Sequence, residues 1–239
     1  MSAKSSSLGT SLPPYSLRES QRARQVRLKI SPYKGLEIIV PSGFDQNLLP
    51  RILCRHRAWI EDKLDEFALQ ERPALSIPER IHLPAVAEEW SVMMAKGSQP
   101  HLSEEGNRQL RLTGVAGDLN GTRTLLRHWL MIKAERELVP RLHALGRETG
   151  LSFSALTIRG QKSRWGSCSS QNRISLNFKL LFLPQTLVRH VLIHELCHTV
   201  HLNHSQRFWD LVERFDPDCR QLRQELRDAW RHIPDWLES

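Results

Sequence analysis

Residues 190–204 read HVLIHELCHTVHLNH, and this stretch decides how the rest of the chain is read. It holds five of the eleven histidines of a 239-residue chain (His190, His194, His198, His201 and His204), a density that chance placement does not produce. His194-Glu195-Leu196-Cys197-His198 forms an HExxH pattern. Leu187, Val188, Val191, Leu192 and Leu196 recur at helical spacing behind Pro184, which suits a first helical turn, so the pattern lies on a helix. Two imidazoles four residues apart project from one face of that helix and can both reach a zinc ion at about 2.0–2.1 Å. Glu195 sits about 100° around the helix from His194, placed to take a proton from water rather than to ligate.

A tetrahedral site needs a third ligand from another direction. On a continuing helix His201 shares the metal face, but it lies roughly 10 Å along the axis from His194. Leu202-Asn203-His204 supplies a turn instead. Asn203 tolerates a left-handed helix end and Ser205 can cap the next helix, which puts His204 at the junction as third ligand. Glu213 on the following helix is the alternative, in a His₂Glu set. Cys197 points off the ligand face and reads as a packed small side chain. His190 and His201 read as supporting or surface residues.

Working outward, 155–161 and 173–179 read as strands, with Ile174, Leu176 and Phe178 facing one way. They bracket Arg164-Trp165-Gly166-Ser167-Cys168, which reads as a polar and aromatic turn. A helix spans 122–150, with Pro140 expected to kink or divide it and Gly146 or Gly150 to close it. After the histidines, Phe208, Trp209, Val212 and Phe215 mark one helix, and Asp216-Pro217 reads as the N-cap and first residue of the next. Near the amino terminus Val26, Leu28 and Ile30, the turn at 31–35, and Leu36, Ile38 and Val40 form a hairpin. A single helix at 46–70 follows, and Pro73 and Pro78 break the chain. Short strands are expected at 90–94 and 109–112. The expected fold class is α+β. A disordered lead-in occupies 1–20, a β-rich region with one helix 21–115, and a catalytic domain 116–239.

The composition, 40% hydrophobic and 25% charged, is that of a soluble globular protein without a membrane span. The first twenty residues lack the apolar core of a secretory signal. Scattered Cys54, Cys168, Cys197 and Cys219 point to a reducing cytoplasm. A net charge of +8 is compatible with a nucleic-acid partner or with a solvated basic surface alone. Arginines are dense both at 18–27 and at 220–231.

RWGSC at 164–168, ISLNFKLLFLP at 174–184, HELCH at 194–198 and NHSQRFW at 203–209 resemble the YgjP-like metal-dependent hydrolases, relatives of the SprT-like zinc peptidases. The likeness covers 155–231 and returns in the hairpin and helix ending near Trp59-Ile60; the middle of the chain matches loosely. The resemblance implies a zincin-like catalytic domain, an active-site helix backed by a small β-sheet and a helical carboxy terminus, preceded by a small β-hairpin and helix and a β-meander. It implies one Zn²⁺ on His194, His198 and His204, Glu195 as general base, and a peptide or protein substrate. The strand near Asn177 then resembles the edge strand on which zincins lay a peptide, bordered by Arg164 and Trp165. His201 stands where metzincins carry Gly, which separates the chain from them. Two rival readings are a SprT-like protease acting on DNA-attached proteins, for which no zinc ribbon or CxxC pair is found, and a non-catalytic zinc module. Three protein ligands with an intact Glu195 speak against the second, since structural zinc is usually closed by four.

Overall fold

In the computed structural model, residues 14–21, 23–31, 35–69 and 77–238 are described, and the chain divides into two units, 1–74 and 75–239. The first unit holds strands β1 (Tyr15–Ser20), β2 (Arg27–Ser31) and β3 (Gly35–Pro41), in the order β1-β3-β2, with β2 and β3 following the apolar alternation. β2 and β3 form the expected hairpin, Leu28 opposite Ile38 and Ile30 opposite Leu36. Residues 32–34 of its turn lie outside the described residues. Leu36, Ile38 and Val40 bury one face of β3 with Leu49, Leu53 and Ile60. The last three belong to α1 (Leu49–Arg55) and α2 (Arg57–Leu69), so the single helix expected at 46–70 is divided at His56, where φ is −102° and ψ 10°. Gln70 and Pro73 lie outside the described residues, as do residues 1–13 of the expected lead-in. β1, by contrast, is an ordered strand parallel to β3. Its residues are exposed except the half-buried Ser20, so it has no buried face to impress a period on the sequence.

The second unit opens with β4 (Arg80–Leu83), β5 (Glu88–Ala95), β6 (His101–Glu105) and β7 (Gln109–Thr113), in the order β4-β5-β7-β6. This is not the expected meander. β5 and β7 pair in parallel, with β6 carried past them to the outer edge, an order that alternation alone does not encode. The helix α3 (Leu119–Thr149) starts at Asp118, whose carboxylate accepts from the Asn120 and Gly121 amides, and ends at Gly150, left-handed at φ 73°. It runs through Pro140 as one element. The lost hydrogen bond is outweighed by buried Leu138, Leu142 and Leu145, which hold both flanks on the same core. Trp129 meets Trp90 edge-on at 5.2 Å, and Lys133 pairs with Glu88 at 2.8 Å, tying α3 to the sheet.

A second small sheet contains β8 (Ala155–Arg159), β9 (Gly166–Cys168) and β10 (Arg173–Asn177), ordered β8-β10-β9. β10 is parallel to β8 and antiparallel to β9. The strand expected at the edge is therefore the central one, its backbone used on both sides. The segment expected to be a turn supplies the edge strand β9. Beyond Asn177 the chain tightens into a buried 3-10 turn, Phe178–Phe182.

α4 (Gln185–Cys197) follows with Pro184 at its N-cap and is buried nearly all round, as expected of a central helix. It packs on α3, β9, α5 (Gln206–Phe215) and α6 (Cys219–Arg227); a short α7 (Asp235–Glu238) closes the chain. The N-cap position of α6 is Asp218, not Asp216, which ends α5 and is buried. The architecture is mixed α+β, and among the described residues no helix is long and apolar enough to cross a membrane.

Candidate metal centre

The last turns of α4 bring His194 and His198 to one face. The helix then closes tightly, with the Val200 and His201 amides both donating to the Cys197 carbonyl at 3.1 Å. Asn203 is not among the left-handed residues, so the reversal is made by these short bonds and not by an asparagine cap. Ser205 stands at the N-cap of α5 without a side-chain capping bond. The reversal returns His204 to the pair. His198 Nε2 and His204 Nε2 each lie 3.1 Å from His194 Nε2, and all three ligand atoms fall within 4.8 Å of one another. Such spacing is comparable with that of imidazole nitrogens sharing an ion bound at about 2.0–2.1 Å. This is the one group of three or more metal-capable side chains among the described residues. Glu213 is outside it, facing Arg220 at 3.6 Å.

The rings are held in the form that ligates. His198 Nδ1–H donates to the His201 carbonyl at 2.9 Å, which leaves the Nε2 lone pair toward the cluster. Burial, reinforced by the neighbouring imidazoles, pushes His194 down to about 3. Burial also lowers His198, and burial together with the Arg223 charge lowers His204. Neutral imidazoles have lone pairs to give. Phe208 packs against all three rings, with centroids 5.0, 4.4 and 4.9 Å away, and Trp209 stacks beside His204 at 5.6 Å.

Glu195 is 5% exposed, and its Oε2 has no hydrogen-bond partner among the described residues. Burial raises its carboxyl to about 8, with the Arg164 charge pulling the other way. A buried, unpartnered carboxylate oxygen is costly unless something occupies the space it faces. Together with three neutral imidazoles it makes a donor set and a proton acceptor that fit a divalent metal and water. β9 lies directly against this carboxylate. A Cβ placed on Gly166 meets Glu195 Oε1 at 2.6 Å, Cγ at 2.7 Å and Cδ at 2.8 Å, so only glycine allows the approach. Cys168, also on β9, has its thiol pushed up to about 11 by burial, with the Glu195 charge adding to it.

Of the residues expected to face a substrate, Arg164 is exposed and its charge reaches Glu195. Trp165 instead stacks on Trp230 at 4.1 Å and is 7% exposed. Asn177 is fully buried. Its Nδ2 donates to the Gln161 and Arg164 carbonyls at 2.8 Å and its Oδ1 accepts from the Lys179 amide, so it shapes the loop before β9 and has no amide group left for a substrate. Motif composition does not say which of these side chains face inward. Cys197 is fully buried, as read, and burial lifts its thiol to about 12.

The structure adds residues that the motif does not single out. His190, one turn before His194, donates from Nδ1–H to Asp216 Oδ2 at 2.6 Å, both side chains buried, which anchors α4 to the end of α5. The Asp-Pro pair disguised Asp216 as a cap. Gly166 lies within RWGSC, but its requirement comes from a residue 29 positions away. Arg223 lies with its guanidinium carbon 4.4 Å from the Trp209 ring centre.

The chain matches the YgjP-like family, over its metallopeptidase domain, at residues 24–229. No curated protein and no solved structure matches it. With a match that takes in most of the chain and ends beyond the histidine cluster, the chain belongs to the YgjP-like metallopeptidase family, and its broad class is that of the metal-dependent peptidases.

Proposed function

We propose that the chain is a zinc peptidase of zincin type, in which His194, His198 and His204 hold one ion and Glu195 is the general base. The observation that carries this is the convergence of three imidazole nitrogens, at 3.1 Å, beside a buried carboxylate oxygen with no partner. Zinc in such a site lowers the pKa of water and polarises the scissile carbonyl. Glu195 accepts the proton of the attacking water on its carboxylate and passes it to the leaving amine. The free edge of β9, beside Glu195, is where an extended peptide pairs by strand addition; Arg164 lies just before that strand. Four unpaired cysteines suit a reducing, cytoplasmic setting.

Removing the metal with a chelator is expected to abolish hydrolysis of a peptide library, and one equivalent of zinc to restore it. Hydrolysis indifferent to the chelator contradicts the reading. Gly166→Ala forces the Glu195 carboxylate away from β9, and a displacement of about 1 Å at a reacting group costs on the order of 100-fold. We expect kcat to fall by about 10- to 100-fold at full zinc occupancy, and wild-type kcat in this variant contradicts the placement of Glu195 by Gly166.

A further inference from the structure

Beside the histidine cluster α5 and α6 enclose a groove of 330 Å³. Trp209 and Glu213 on α5, and Arg220, Arg223 and Arg227 on α6, line it. The arginines recur at i, i+3 and i+7, so they share one helical face. Arg220 is matched by Glu213 across the groove at 3.6 Å, but Arg223 and Arg227 have no ion-pair partner among the described residues. Arg223 is propped on the face of Trp209 at 4.4 Å, and the same ring neighbours His204 at 5.6 Å and His194 at 5.8 Å. The groove therefore opens next to the centre, and its charge reaches the centre too: Arg223 is among the causes that lower both His194 and His204.

From this juxtaposition we infer that the α5–α6 groove is a specificity pocket for an acidic side chain of the substrate, read by Arg223 and Arg227. The inference rests on the peptidase reading above. A cavity of 330 Å³ accommodates a side chain and short backbone, and Trp209 leads from it to the centre. The guanidinium fork matches a carboxylate in shape as well as charge. Glu213 in the same wall disfavours a continuous polyanion, which makes a peptide carboxylate a better occupant than a nucleic-acid backbone.

The test uses peptides identical except for Glu or Gln, scanned through positions flanking the scissile bond. Their binding is measured on zinc-loaded Glu195→Gln protein, with or without Arg223→Gln or Arg227→Gln, and their kcat/KM on the chain with Glu195 intact. One position is expected to favour Glu about fivefold in binding, as exposed charge pairs allow, with the preference shrinking as salt is raised. Arg223→Gln should bring the ratio close to 1 and Arg227→Gln should reduce it, while Arg223→Lys restores part of it. A ratio near 1 at every position with the arginines intact, or a preference that survives both Gln variants, overturns the inference. So does selective binding of a single-stranded oligonucleotide that Arg223→Gln removes while the peptides show no preference. If no peptide is cleaved but the Glu preference and its loss in Arg223→Gln remain, the peptidase reading fails and the acidic-side-chain groove stands.

Discussion

Glu195→Gln is expected to bind zinc as the wild type does and to lose between about 100- and 10,000-fold in kcat, the range associated with general acid–base groups. The amide keeps the size of the carboxylate, so it fits the space against Gly166, where a Cβ has no room. It cannot accept and return a proton. Because Glu195 is not one of the three converging imidazoles, metal content measured on the same sample should be unchanged. The metal-free variant should also be no less stable to urea than the metal-free wild type, since the substitution removes a buried carboxylate whose Oε2 has no partner. Activity within about tenfold of wild type, at equal zinc content, removes Glu195 from the role of base.

The second large effect is on the metal itself. His204→Ala leaves two imidazoles from one helix and no ligand from a second direction, so zinc affinity should fall by more than the roughly 100-fold that marks loss of an outer-sphere contact. Glu213→Ala should leave affinity within a few-fold, because Glu213 faces Arg220 rather than the cluster. Competition with a chromophoric chelator distinguishes the two. Normal affinity in His204→Ala, or loss in Glu213→Ala, moves the third ligand to α5.

The features legible in the sequence are those set by local repetition. The period of Leu187, Val188, Val191, Leu192 and Leu196 is enough to place α4, and the alternation of Leu36, Ile38 and Val40 is enough to place β3. The candidate ligands were readable because two share a helix face and the third follows a turn forced by helical rise. What escaped depends on partners distant in the chain. β9 is a strand because β10 pairs with it, although RWGSC alone has the composition of a turn. Asn177 looks like an exposed polar strand residue until the carbonyls of Gln161 and Arg164 are brought to it. Asp216 precedes a proline and so resembles a cap, but His190, 26 residues earlier, claims its carboxylate. Pro140 has the residue type of a break, and the core beneath α3 overrides it.

The proposed function requires this centre to hydrolyse peptide bonds. Mass-spectrometric mapping of new amino termini in a denatured protein mixture, after incubation with zinc-loaded wild type and with zinc-loaded Glu195→Gln, tests it most directly. A set of new termini is expected with the wild type and not with the variant. No new termini from the wild type, or the same set from both proteins, contradicts it.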